Sequence, residues 1–89
     1  MRKDVMAMKE FREILKEVNR RYKSMHYSGV AVAGETDNEW IFQTEVRKGE
    51  EYLQPNPIIV EKATGKMRWG FPFDPRDREV IYSAKQIDV

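Results

Sequence analysis

Apolar residues recur every three or four positions along 4–23: Val5, Met8, Phe11, Leu15, Val18 and Tyr22, with Ile14 widening the stripe. That is the period of a helix with one face on a core. The segment holds no Gly or Pro. Asp4 can cap its start, and Arg20, Arg21 and Lys23 suit the negative end of its dipole. Glu17 and Arg21 stand i,i+4 with the acid first, the favourable order. These features predict a helix over 4–23.

The period then shortens. Residues 27–33 (Tyr-Ser-Gly-Val-Ala-Val-Ala) are small and β-branched, as in a strand. Residues 34–38 read as a turn. Over 39–46, Trp40, Phe42, Thr44 and Val46 alternate with Gln43 and Glu45, which predicts a half-buried strand and a hairpin. Residues 48–56 read as a loop. Pro57 opens a short strand over 57–62, Ala63-Thr64-Gly65 turns the chain, and 66–69 return it as a second hairpin.

The C-terminal pattern fits two periods. Asp74, Pro75 and Asp77 are placed as N-cap, N1 and N3 of a helix whose face would carry Val80, Ile81, Ala84 and Ile87. The same residues alternate: Val80, Tyr82 and Ala84 against Ile81, Ser83 and Lys85. The helix is preferred to a final strand. The expected architecture is α+β, one domain over 1–89. A long N-terminal amphipathic helix packs on an antiparallel sheet of about four strands, with a short C-terminal helix or a fifth strand.

Composition narrows the function classes. At 89 residues and 10.6 kDa the chain supports one modest core. Sixteen Lys+Arg against fifteen Asp+Glu leave +1, without the basic excess of a typical nucleic-acid binder. With 11% aromatic residues the chain is too rich in core formers for disorder. No apolar run approaches the roughly 20 residues of a membrane span. No signal-peptide core follows Met1-Arg2-Lys3-Asp4, so the cytoplasm is the expected location. The absence of cysteine removes thiol nucleophiles, disulfides and zinc–thiolate sites.

Little of the sequence is patterned for chemistry. His26 is the single histidine and reads as a linker residue between helix and strand, not as a general base or pH sensor. None of Ser24, Ser28 and Ser83 lies in a nucleophile elbow. The glycines at 29, 34, 49, 65 and 70 match no phosphate-binding loop, and Gly34 and Gly65 read as turn residues. Glu35, Asp37 and Glu39 form an acidic hairpin tip that lacks the full ligand order of a calcium loop. Arg20, Arg21 and Lys23 beside Tyr22 are offset on the same helix by Glu10, Glu13 and Glu17. No catalytic group, cofactor or metal site is expected, and the chain is not expected to be an enzyme.

The least ordinary stretch is Met67-Arg68-Trp69-Gly70-Phe71-Pro72-Phe73. Its rings either close one end of a small core, the commoner fate, or stand out as an aromatic anchor for a partner.

One further pattern has a family likeness. The strand 39–46 with Trp40 and Phe42 is followed by a loop, by Asn56-Pro57-Ile58-Ile59-Val60-Glu61-Lys62, and by Thr64-Gly65-Lys66-Met67. This arrangement resembles small immunity-protein domains of bacterial polymorphic toxin systems. The likeness is concentrated in residues 39–67. It departs at Leu53-Gln54-Pro55-Asn56-Pro57, where the family commonly has Gly-Asn-Ala-Pro. The resemblance implies a non-enzymatic inhibitor that binds and neutralises a cognate toxin, and it transfers no contact residue by position. The candidate partner-binding residues therefore come from the pattern itself: Glu35, Asp37 and Glu39 at the tip, Glu50, Glu51 and Tyr52 in the loop, and Phe71 and Phe73. The acidic groups would suit a basic nuclease partner. The alternatives are a phage or mobile-element protein that binds a host protein, and a small nucleic-acid- or ligand-binding domain. Either a monomer or a homodimer is compatible with short strands that leave edges to cover.

Overall fold

A computed structural model describes residues 3–45 and 55–88, with side chains from residue 10 onward. The side chains of Val5 and Met8, the strand end at Val46 and the loop candidates Glu50, Glu51 and Tyr52 lie outside the described residues. The chain folds as α1 (Lys3–Ser24), β1 (Val30–Glu35), β2 (Glu39–Thr44), β3 (Ile58–Glu61), β4 (Met67–Trp69), α2 (Pro75–Ser83) and β5 (Lys85–Ile87). The α+β architecture with a long N-terminal helix is as expected. The sheet has the four expected strands and the fifth that stood as the alternative, in the order β4-β3-β2-β1-β5, every pair antiparallel. The C-terminal segment is both of the alternatives in turn. Ala84 turns extended, at φ −66° and ψ 135°, and releases the chain from α2 into β5. Ile87 then pairs with Ala33 in the sheet instead of lying on the helix face. Because β5 pairs with β1, the strand that follows α1 is internal rather than an exposed edge.

Alternation sorts the side chains. Phe11, Val18 and Tyr22 of α1 meet Ala33, Trp40, Phe42, Ile58 and Val60 on one face of the sheet. Phe11 stacks on Phe42 and meets Trp40 edge-on, both at 5.7 Å between ring centroids. Ile41 and Ile59 point to the opposite face, where they are also buried. There α2 crosses the sheet. Its first turn is tied to β4 by Arg68 and Asp77, and its C-cap residue Ala84 meets β1 at Gly34. A Cβ on Gly34 would stand 3.1 Å from the Ala84 Cβ. Gly34 is thus a strand residue kept small by the layer above it, not the turn residue its neighbours suggest. The turn itself is confined to 36–38, where the Thr36 hydroxyl accepts from the Asn38 and Glu39 amides.

The end of α1 closes as a Schellman motif. The Tyr27 amide donates to Tyr22 O at 3.0 Å and the His26 amide to Lys23 O at 3.0 Å. The motif needs a left-handed residue at His26, which sits at φ 68°. Histidine tolerates that region better than most residues but less well than glycine. Tyr27 packs edge-on against Tyr22, with centroids 6.1 Å apart, giving the apolar contact that accompanies the motif. His26 is therefore a helix cap and not merely a linker.

Tyr22 is fully buried, and its hydroxyl lies 3.1 Å from Phe42 O and 2.9 Å from Asn56 O. Burial pushes its pKa well above the ordinary 10.0, a backbone hydrogen bond at Ile58 opposing the shift in part. A pKa raised by folding means that the protonated hydroxyl's contribution is intact below pH 10 and is lost as pH climbs beyond it.

Two outcomes follow from these contacts. His26→Gly relieves the left-handed strain and stabilises the fold by about 0.5–1 kcal/mol, seen as a higher Tm with an unchanged circular dichroism spectrum. Tyr22→Phe keeps the ring but strips the end of the sheet of its donor, at a cost of about 1–2 kcal/mol in urea unfolding.

Candidate functional site

The chain leaves β4 at Trp69 and reaches α2 at Pro75 through a short aromatic loop. Each step of this loop is tied down. The Gly70 amide donates to Pro57 O at 2.7 Å, drawing the backbone onto β3. A Cβ at Gly70 would stand 2.8 Å from Ile59 Cδ1 and 3.1 Å from Pro57 Cγ, so a larger residue there would push the Ile59 side chain aside. The Phe71 amide donates to Asp77 Oδ2 at 2.9 Å. The Asp74 amide donates to Phe71 O at 2.9 Å, and the Asp74 side chain accepts from the Arg76 amide as N-cap of α2. Arg78 Nε donates to Pro72 O at 3.1 Å.

What this frame holds up is apolar. Phe71 is 42% exposed and Phe73 76%, their centroids 6.1 Å apart. Both rings therefore stand outside the core. Trp69, on the edge strand β4, turns toward α1 and meets Tyr22 edge-on at 6.2 Å. Tyr22, Met25, Tyr27, Pro55, Asn56, Trp69 and Phe71 line a cleft of about 320 Å³. The cleft adjoins the exposed rings through Phe71, so cleft and rings form one aromatic surface at this end of the sheet.

Asp77 is the buried support of that surface. It lies at N3 of α2, only 4% exposed, and Arg68 Nη1 reaches its Oδ1 at 2.7 Å. Burial pushes its pKa up. The Phe71 amide, the Arg68 hydrogen bond and charge, and the Arg76 charge outweigh that effect and hold the carboxyl below its ordinary 3.8. The folded state thus prefers the carboxylate. Its contribution is present above about pH 4 and is lost as pH falls. The sequence marks Asp77 as a first-turn helix acid; its second role needs the chain to fold back over β4, which no local pattern announces. The cleft residues Tyr22, Met25 and Tyr27 were hidden in the same way, inside the apolar stripe and its exit.

The other candidates fall elsewhere. Glu35 pairs with Lys62 Nζ at 2.9 Å, and that ammonium also lies over the Trp40 ring at 5.6 Å. Glu39 accepts from the Thr36 hydroxyl in a short contact that holds the turn. Asp37 is exposed at the tip. Register places these acids at the opposite end of the sheet from the aromatic loop: Glu39 pairs with Glu61, whereas Trp69 pairs with Ile58 and Ile58 with Phe42. The structure brings Phe71 and Phe73 together and keeps the acidic tip apart from them.

Comparison with family models, with curated proteins and with solved structures finds no match to this chain. Among the described residues, no helix is long and apolar enough to cross a membrane.

The Asp77 contacts set one measurable outcome. Asp77→Ala leaves the inward-facing Phe71 amide without its acceptor and destabilises the domain by about 1–3 kcal/mol. Asp77→Asn keeps an acceptor and costs less. Wild-type unfolding free energy falls as pH drops below about 4, and the Asn variant shows a shallower fall in the same titration.

Proposed function

We propose that this chain is a non-enzymatic protein-binding module that acts as an immunity-type inhibitor, holding a toxin domain through the aromatic surface at Trp69–Phe73. One observation carries the binding surface: Phe73, 76% exposed, is mounted on a loop whose backbone is hydrogen-bonded at Gly70, Phe71, Pro72 and Asp74. Exposed apolar rings cost solubility, and a rigid mount spares the ordering entropy that a flexible loop would lose on contact. Aromatic anchors of this kind dominate protein interfaces. The toxin as partner rests on the resemblance of residues 39–67 to immunity domains. The acidic tip has a smaller part in this reading than its charge suggests, because Glu35 and Glu39 already have partners in the fold.

The cleft favours a second reading, a small-molecule site. About 320 Å³ lies at the lower end of the range for ligand pockets, and rings line it.

The test uses the tagged protein to capture its partner from cells of its source, followed by calorimetric titration of the purified pair. A partner with a toxin domain is expected. Phe71→Ala and Phe73→Ala each weaken its binding by at least about tenfold while Tm stays within about 2 °C of wild type. The Glu35/Asp37/Glu39→Ala triple variant weakens binding less than either ring deletion. Wild-type affinity in the Phe71/Phe73 double variant would sink the aromatic surface. A captured partner that is not a toxin would sink the inhibitor reading, and a retained small molecule with no protein would favour the cleft.

A further inference from the structure

The charged face of α1 is sorted by sign. At about 100° per residue, Arg12, Lys16, Arg20 and Lys23 fall within about 80° of arc, and Glu10, Glu13 and Glu17 fall within a neighbouring arc of about 60°. The basic lane runs about 16 Å along the helix. Arg12 and Lys16, and Lys16 and Arg20, are like charges at i,i+4; Arg20 and Lys23 are like charges at i,i+3. Each such pair weakens a helix, and attractive pairs such as Glu17 with Arg20 and Arg21 at the border of the lanes offset the cost. Arg20 bridges to Glu17 at the boundary between the lanes. Arg12, Lys16 and Lys23 have no ion pair among the described residues. Lys16, Asn19, Arg20, Lys23 and Ser24 line a shallow, open groove between side chains along the helix. A row of like charges along one face attracts an approaching anion.

We propose that this groove is a second docking surface, whose occupant is an acidic segment of a protein partner. Charge complementarity selects an anionic occupant, and the neighbouring lane selects its width. The Glu10–Glu13–Glu17 lane lies beside the groove and repels the broad phosphate surface of a nucleic acid. No aromatic side chain lines the groove to stack a base. A narrow row of carboxylates meets the basic lane without crossing the acidic one. Tyr22, which lines the aromatic cleft, lies about 120° around α1 from the middle of the basic lane. The proposal uses no residue of the aromatic surface and stands or falls separately from it.

The experiment is fluorescence anisotropy with labelled polyglutamate, at low and at physiological ionic strength. Wild type binds at low salt and loses affinity as salt rises. The Lys16→Gln, Arg20→Gln, Lys23→Gln triple variant binds at least about tenfold more weakly. A control with the same change in net charge, Lys66→Gln, Arg76→Gln, Lys85→Gln, stays within about threefold of wild type. All six positions are exposed, and circular dichroism checks that both variants fold. Three results overturn the proposal: no binding by wild type, an equal loss in the control, or tighter binding of a labelled single-stranded oligonucleotide than of polyglutamate.

Discussion

The buried side chain of Tyr22 is the joint on which this small domain turns. Its ring is the last core residue of α1, and its hydroxyl reaches the Phe42 and Asn56 carbonyls where the β2–β3 pairing ends. A phenol placed there meets two needs together. Its ring removes apolar area from water, and its one O–H has the Phe42 and Asn56 carbonyls within reach as acceptors. Its own carbonyl accepts from the Met25 and Tyr27 amides, so the same residue ends the helix. Trp69 and Tyr27 both pack edge-on against it. The position of α1, the exit of the chain toward β1 and the floor of the aromatic cleft are therefore set by one side chain.

The support of the exposed rings follows a related logic on the other face of the sheet. A nine-residue helix such as α2 contributes little on its own, since short helices are marginal without packing. Its value lies in where it puts Asp77. A carboxylate at the third helical position would ordinarily serve the helix dipole alone. Here the chain reverses between β4 and α2, so that the carboxylate also faces the Phe71 amide and the Arg68 guanidinium. Removing a charge from water is unfavourable, and these partners more than offset it, as the lowered pKa records. The result is a loop whose backbone is fixed while two of its rings remain in solvent.

Periodicity carried most of the fold. The apolar stripe of α1, the alternation around Trp40 and Phe42, and the Asp74-Pro75 start of α2 each form the element their pattern specifies. The C-terminal segment resisted because Val80, Ile81, Ala84 and Ile87 satisfy both periods. The choice is made by pairing with β1, a contact more than fifty residues distant in sequence. Gly34 differs from its pattern for a similar reason: a glycine before a polar turn signals the turn itself, whereas its neighbour in space is Ala84, at the end of α2. The candidate site was legible as a composition of residues but not as a place. The rings of 69–73 stand out in any reading. Only the strand register shows that the acidic tip belongs to the opposite end of the sheet, and that Glu35 and Glu39 are engaged there in holding Lys62 and the turn at Thr36.

A domain with one modest core has few ways to present more than one surface, and α1 supplies several of them. One side of the helix is consumed by the sheet. The residues that leave this contact at its C-terminal end, Tyr22 and Met25, become the wall of the aromatic cleft. The side turned away carries a basic lane beside an acidic one, joined at their border by Glu17 with Arg20 and Arg21. Within the basic lane the i,i+4 neighbours Arg12, Lys16 and Arg20 repel, a local cost to the helix. A protein that tolerates such a conflict on an exposed face usually does so where the face meets something. On the two proposals above, the aromatic end and the basic flank would be contacts held at a fixed relative orientation by one helix, with Tyr22 fixing that helix to the sheet.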